Sequence, residues 1–229
     1  MSGFLNALAR APWVAVDELL GNRPLVVLAP HPDDETLGCG ALLFDASARG
    51  GECHVICVTD GSKSHPNSRR WPAPRLAQER QAELRRAVAI LAPQARVRWL
   101  GHRDCAAPSD ADTAREISGL VPDHALVMAS WDGDPHIDHE RVAQLACHMA
   151  AHRPDIALAF YPIWGRFGKR TTPARMIRAS AAARAAKAAA LACHRTQMSA
   201  LIDDDDGGFV MEDWRQAHFL DQPEIVIAP

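Results

Sequence analysis

Two clusters of histidine and aspartate carry the chemistry legible in this 229-residue chain. Pro30-His31-Pro32-Asp33-Asp34-Glu35 follows an apolar run at 25–29, and His136-Ile137-Asp138-His139 follows a second at 125–130. Imidazole nitrogen and carboxylate oxygen are borderline ligands that suit zinc, and a catalytic zinc site needs three of them plus one open position for water. His31, Asp33, Asp34, His136 and His139 meet that need with donors to spare, so metal-assisted hydrolysis is the chemistry indicated. Aspartate is also a favoured helix N-cap, and Asp33, Asp34 or Asp138 taken singly reads as well as a cap. Capping leaves unexplained why two histidine-bearing clusters follow two strands in the same way.

For the clusters to meet, the elements around them must deliver both to one edge. Short β-branched runs at 25–29, 54–59, 97–100, 125–130 and 156–161 alternate with helical patterns at 37–49, 75–91, 113–120, 140–152 and 180–193. That alternation is the mark of βαβ units around a mostly parallel sheet, whose ligands bind at the carboxyl edge of the strands. Pro32 holds His31 extended, and the following helix N-terminus adds positive potential. The expected architecture is α/β: a single Rossmann-like three-layer domain over 21–229. Residues 1–20 form a helical segment that packs on it through Leu5, Leu8, Val14 and Leu19. Residues 224–228 add an edge strand. The loop at 61–74 is expected to be exposed beside the site, and the acidic run at 203–206 to be solvated, since a calcium site needs more widely spaced oxygens.

Composition removes several function classes. The charge balance is 25 Lys plus Arg against 28 Asp plus Glu, net −3, which gives a polyanion such as nucleic acid nothing to bind. No apolar stretch is long enough to span a bilayer. Residues 1–20 lack a basic start and are interrupted by Arg10 and Asp17, so a cytoplasmic protein is expected. The six cysteines form no Cys-x-x-Cys pair and read as buried thiols. His54 reads as a strand histidine, and His148 and His152 as a surface pair. Trp131 and Trp164 are open between core packing and stacking on a sugar ring. No sequence feature sets the oligomeric state, and a homo-oligomer stays open.

The phrase Ala29-Pro30-His31-Pro32-Asp33-Asp34-Glu35 with His136-Ile137-Asp138-His139 resembles the LmbE-like, or PIG-L, family of zinc-dependent N-deacetylases. Thr59-Asp60-Gly61, Arg80 with Glu83, Gly101 to Asp104, and Lys187 with His194 to Gln197 are further points of likeness. Pro30 and Ile137 depart from the family's usual alanine and proline. The resemblance implies one zinc per chain on His31, Asp34 and His139, with Asp33 as general base. It also implies His136 as oxyanion stabiliser supported by Asp138, and Arg80 and Asp104 as substrate contacts. The implied reaction is hydrolysis of an N-acetyl group from an amino sugar of the N-acetylglucosamine type or its conjugate. Taken without the resemblance, Arg80 reads equally as a surface arginine and Asp104 as a turn residue. Two rivals stand beside this reading: a metal-dependent phosphoesterase, which lacks a glycine-rich phosphate loop here, and a non-catalytic carbohydrate-binding module, which has no need of Asp33.

Overall fold

The computed structural model describes residues 3–229. In chain order the elements are α1 (Gly3–Leu8), β1 (Trp13–Ala15), α2 (Val16–Leu20), β2 (Leu25–Ala29), α3 (Asp34–Ala48), β3 (Cys53–Thr59), α4 (Ala73–Leu91), β4 (Arg96–His102) and α5 (Ala111–Ser118). They continue with β5 (Leu126–Ser130), α6 (Ile137–His152), β6 (Ala157–Tyr161), a 3-10 turn (Trp164–Phe167), β7 (Ala174–Arg178), α7 (Ala181–Leu191), α8 (Arg195–Met198), α9 (Asp213–Asp221) and β8 (Ile225–Ile227).

The strands form one eight-stranded sheet in the order β1-β7-β8-β6-β5-β2-β3-β4. All pairings are parallel except those of β8 with β6 and β7. Side chains of β2 alternate between two cores. Leu25 and Val27 join Leu42, Leu84, Val88 and Leu191 beneath α3, α4 and α7, whereas Val26 and Leu28 join Ile117, Val142, Leu145 and Met149 beneath α5 and α6. Each fully buried aliphatic contributes about 1.5–3 kcal/mol, so the two cores hold the central strands in register. This is the three-layer arrangement expected.

Several expectations are corrected. The segment at 1–20, of which residues 1–2 lie outside the described residues, is not one helical stretch: Val14 lies in β1, paired with Ile177 of β7. Residues 225–227 are not an edge strand. Both faces of β8 are buried, which is why its run is apolar throughout, and the edge is β1 with alternate residues exposed. The acidic run is not simply solvated. Asp204 accepts from the Ser68 hydroxyl and from the Arg69 and Arg70 backbone N–H groups, and Asp205 from Asn67, while Arg70 pairs with Asp203. The loop after β3 is thereby pinned, and Ser62, His65 and Ser68 are buried within it. All six cysteines are free thiols, but only Cys39, Cys53 and Cys57 are buried. Among the described residues no helix is long and apolar enough to cross a membrane.

Candidate metal centre and active site

β2 and β5 are parallel neighbours in register, with Leu28 opposite Ala129. From β2 the chain moves outward to β3 and β4, and from β5 it moves the other way to β6. The connections leaving these two strands diverge and open a crevice at the switch point. His31 enters it from β2, and Asp134 to His139 enter it from β5. Asp33 turns the first loop with φ of 143°, a conformation costly for a residue with a Cβ and found mostly where function demands it. The Glu35 carboxylate, which accepts the Asp33 N–H at 3.0 Å, helps hold it.

Asp34 Oδ2 lies 3.2 Å from His31 Nδ1 and 3.2 Å from His139 Nε2. The outer nitrogen of each imidazole faces a buried carboxylate: His31 Nε2 is 3.1 Å from Asp138 and 3.4 Å from Asp104, and His139 Nδ1 is 2.9 Å from Asp134. Backing a ligating histidine with a carboxylate fixes its orientation and raises its basicity. His139 Nε2 is fully buried, and its 3.2 Å contact with Asp34 Oδ2 falls short of good hydrogen-bond geometry, a poor state for a polar atom and a good one for a metal ligand. The donor set therefore fits a zinc-like ion. His31, His136 and His139 also have ligating atoms within 4.8 Å of one another, as do His31, Asp104 and Asp138.

Charge in the cluster is distributed unevenly. Burial opposes ionisation of Asp34, but the charge of His139, with the charge and hydrogen bond of His31, outweighs it and holds the carboxyl well below the ordinary range. Burial likewise opposes protonation of His139, and Asp34 and Asp134 overcome it, raising the imidazole to about 9. Asp33 behaves in the opposite way. Burial, assisted by the Asp34 charge, pushes it up to about 7 against the pull of Arg80.

Arg80 is buried at the cavity wall, with its guanidinium engaged by the protein's own groups. Its NH1 donates to the Gly61 carbonyl at 2.9 Å, its NH2 to the Pro32 carbonyl at 2.8 Å, and NH2 lies 3.3 Å from Asp33 Oδ2. Gly61, at φ of 60°, leaves that room: a Cβ there would stand 2.3 Å from NH1. Asp104 accepts the Lys63 N–H at 2.9 Å and lines the cavity beside Cys105.

Asp138 does not support His136 through its carboxylate. Its oxygens accept the Cys105 and Ala107 N–H groups at 2.7 and 3.0 Å and face His31. The link to His136 is the Asp138 backbone N–H, which donates to Nδ1 at 3.2 Å as a helix cap. Accepting at Nδ1 leaves Nε2 as the protonated nitrogen of a neutral ring. Burial, with His31 and His139 nearby, lowers this imidazole to about 4, so the expected imidazolium gives way to a neutral donor.

A cavity of about 710 Å³ reaches His31, Asp33, Asp34, Arg80, Asp104 and His136. Trp164 is on its wall, whereas Trp131 is core, packed on Phe4 at 5.4 Å. His54 is a buried strand histidine bonded to Glu52, and His148 and His152 are exposed. Sequence reasoning missed Asp134. Besides His139 it accepts the N–H groups of Ile163, Trp164 and Gly165, tying a metal-capable histidine to the turn after β6. Its only signal was an aspartate in a Gly-x-Pro turn, which ordinary turn chemistry explains. Also missed was the pairing of His194 with Glu35 at 3.1 Å beneath Asp33.

The family model described as "PIG-L: GlcNAc-PI de-N-acetylase" matches residues 26–150. The 1D-myo-inositol 2-acetamido-2-deoxy-alpha-D-glucopyranoside deacetylase of Mycolicibacterium gilvum (strain PYR-GCK) is 34% identical over 127 residues, which is 49% of this chain and 44% of that protein. The chain thus spans less than half the length of this curated relative. Among solved structures, N,N'-diacetylchitobiose deacetylase from Pyrococcus horikoshii superposes with a TM-score of 0.62 at 22% identity, over 76% of this chain and 70% of that one. The A40926 pseudoaglycone deacetylase Dbv21 gives 0.68 at 20% identity, over 90% and 97%. GalB, the 4-carboxy-2-hydroxymuconate hydratase from Pseudomonas putida KT2440, gives 0.61 at 17%, over 75% and 78%. These likenesses establish the fold, and the hydratase among them illustrates that a shared fold leaves the reaction open.

Proposed function

Because the chain belongs to the PIG-L, GlcNAc-PI de-N-acetylase family, we propose that it is a zinc-dependent hydrolase that removes an N-acetyl group from an amino sugar or amino-sugar conjugate. The observation that carries the reading is the position of Asp34 Oδ2, 3.2 Å from both His31 and His139, with Asp33 beside it and outside the ligand set. Zinc held by His31, Asp34 and His139 would supply a Lewis acid and a water acidic enough to lose its proton near neutral pH.

Asp33 is the group placed to accept a proton from the attacking water. Its elevated pKa suits a group that must accept a proton at neutral pH and return it to the departing amine. Arg80 orients the carboxylate, and Gly61 and Pro32 orient Arg80. His136 points its Nε2–H as a hydrogen-bond donor at the oxygen that gains charge as the carbonyl is attacked, a role a neutral imidazole can fill. Asp104 and Asp138 hold His31 from behind. The substrate reading draws support from the deacetylase relative and from a cavity that joins these polar groups to the half-buried ring of Trp164. The phosphoesterase reading would call on His31, Asp104 and Asp138 as a second metal site, yet that site would share His31 with the first and keep only two ligands of its own.

Metal analysis of the purified protein, combined with acetate release from N-acetylglucosamine and simple N-acetyl glycosides, tests the proposal. One zinc per chain and acetate release are expected. Two metals per chain, or release of phosphate from phosphoesters without acetate release, would replace it with the phosphoesterase.

A further inference from the structure

The cavity that reaches the metal-capable cluster is not polar throughout. Trp164, Phe167 and Phe209 line it, each only partly buried, and Trp164 meets Phe209 edge to face at 5.6 Å. Arg215 lines the cavity beside these rings, its guanidinium 5.6 Å from the Trp164 ring and 5.5 Å from Phe167. Its NH1 donates to both oxygens of Glu212 at 2.8 and 2.6 Å, which neutralises it as an anion receptor. What the wall offers is therefore aromatic surface.

The wall is also rigidly placed relative to the cluster. Asp134 binds His139 through Nδ1 and, with the same carboxylate, accepts the backbone N–H groups of Trp164 and Gly165. On the other side the Phe209 N–H donates to the Ser64 carbonyl at 2.7 Å, and the Ser64 hydroxyl accepts from Gln197 at 3.0 Å. A void of about 710 Å³ falls within the range that takes a drug-sized ligand. The apolar face of one sugar ring covers only part of a wall of three aromatic rings, so the remainder is of use to a ligand that carries a further apolar group.

Resting on the deacetylase reading above, we propose that the physiological substrate carries a ring or alkyl group that packs on Trp164, Phe167 and Phe209 while its amide meets the metal-capable cluster. The group sits either on the amino sugar as an aglycone or on the nitrogen as the acyl chain. The two products of the reaction separate these sources and bind without turnover. Calorimetry on the zinc-loaded protein compares phenyl with methyl glucosaminide for the first, and octanoate with acetate for the second. One pair is expected to differ by at least about tenfold in Kd, the size of effect that burying a ring or several methylenes brings. That ratio should fall toward one in both Phe209→Ala and Trp164→Ala, and persist in Trp13→Ala, whose exposed ring lies on edge strand β1 and does not line the cavity. Zinc content and thermal unfolding of each variant verify that it is folded. Ratios near one for both pairs in the unaltered protein, or a preference that survives both wall variants, overturn the inference. Absence of acetate release from phenyl N-acetylglucosaminide with the binding ratio intact overturns the deacetylase reading and leaves the apolar wall standing.

Discussion

Asp33 and Asp34 are adjacent, identical in type and both buried, yet their environments drive them to opposite states. Asp34 lies between two imidazoles and stays ionised, whereas Asp33, with a single guanidinium against its burial, rises to about 7. Pairs of carboxylates pushed apart in this way divide acid–base labour. Asp33→Asn is accordingly expected to keep its zinc and lose about two to four orders of magnitude in kcat, whereas Asp34→Asn should lose the metal; metal analysis beside initial rates distinguishes them, and zinc loss in the first would mean the roles are exchanged. For His136→Ala the expected cost is about two to three orders in kcat with metal retained, the effect of deleting one oxyanion donor. Loss of zinc there would instead make His136 a ligand, as its closeness to His31 and His139 allows. Asp134→Ala removes the partner of His139 Nδ1, and zinc affinity should drop by about 10- to 100-fold in a chelator competition.

Between elements, the close contacts decide what can change. Gly38 of α3 lies against Tyr161 of β6, and a Cβ there would stand 2.2 Å from the ring. Tyr161 is fully buried, with its hydroxyl bonded to the Leu28 carbonyl, so the ring has nowhere to move. Gly38→Ala should lower stability by about 1–3 kcal/mol in thermal or denaturant unfolding, and no change would mean that α3 shifts freely on the sheet. The strands that carry the site were legible because β2, β3 and β5 are buried on both faces and their runs are uninterrupted. β1 and β7 were not, since an edge strand of three residues and the half-exposed Ala174–Arg178 carry little apolar signal. His31, Asp33, Asp34, His136 and His139 could be read as candidates from residue type and spacing after a strand, while the choice of His31, Asp34 and His139 among them came from the family resemblance. Arg80 falls on the apolar stripe of α4 between Leu76 and Leu84, which signals burial, but the loop carbonyls that accept from it lie too far away in sequence to be read. The clasp of Asp204 and Asp205 on residues 67–70 escaped for the same reason, as its two halves lie more than a hundred residues apart in sequence.

Over the whole molecule, protons and metal compete for one cluster, and that competition should set how stability depends on pH. In the metal-free protein His139 titrates at about 9, above its ordinary value of 6.5, and His31 is raised as well despite its burial. A histidine whose folded pKa is raised contributes stability that is fully present below 6.5 and lost as pH climbs through about 9. For His139 alone the difference amounts to about 3 kcal/mol, or roughly 6–12 °C in Tm for a chain of this size. Asp33, also raised, acts in the same direction between its ordinary range and about 7. Zinc reverses the trend, because it binds only the unprotonated imidazoles and its affinity grows as the protons leave. Chelator-treated protein should therefore melt at progressively lower temperature from pH 6.5 to 9, while the increment in Tm on adding one equivalent of zinc widens over the same window. Differential scanning calorimetry with and without zinc measures both curves. An increment that is constant across the window would mean that the protons on His31 and His139 are not the ones the metal displaces, and that the metal is held elsewhere than between these two histidines and Asp34.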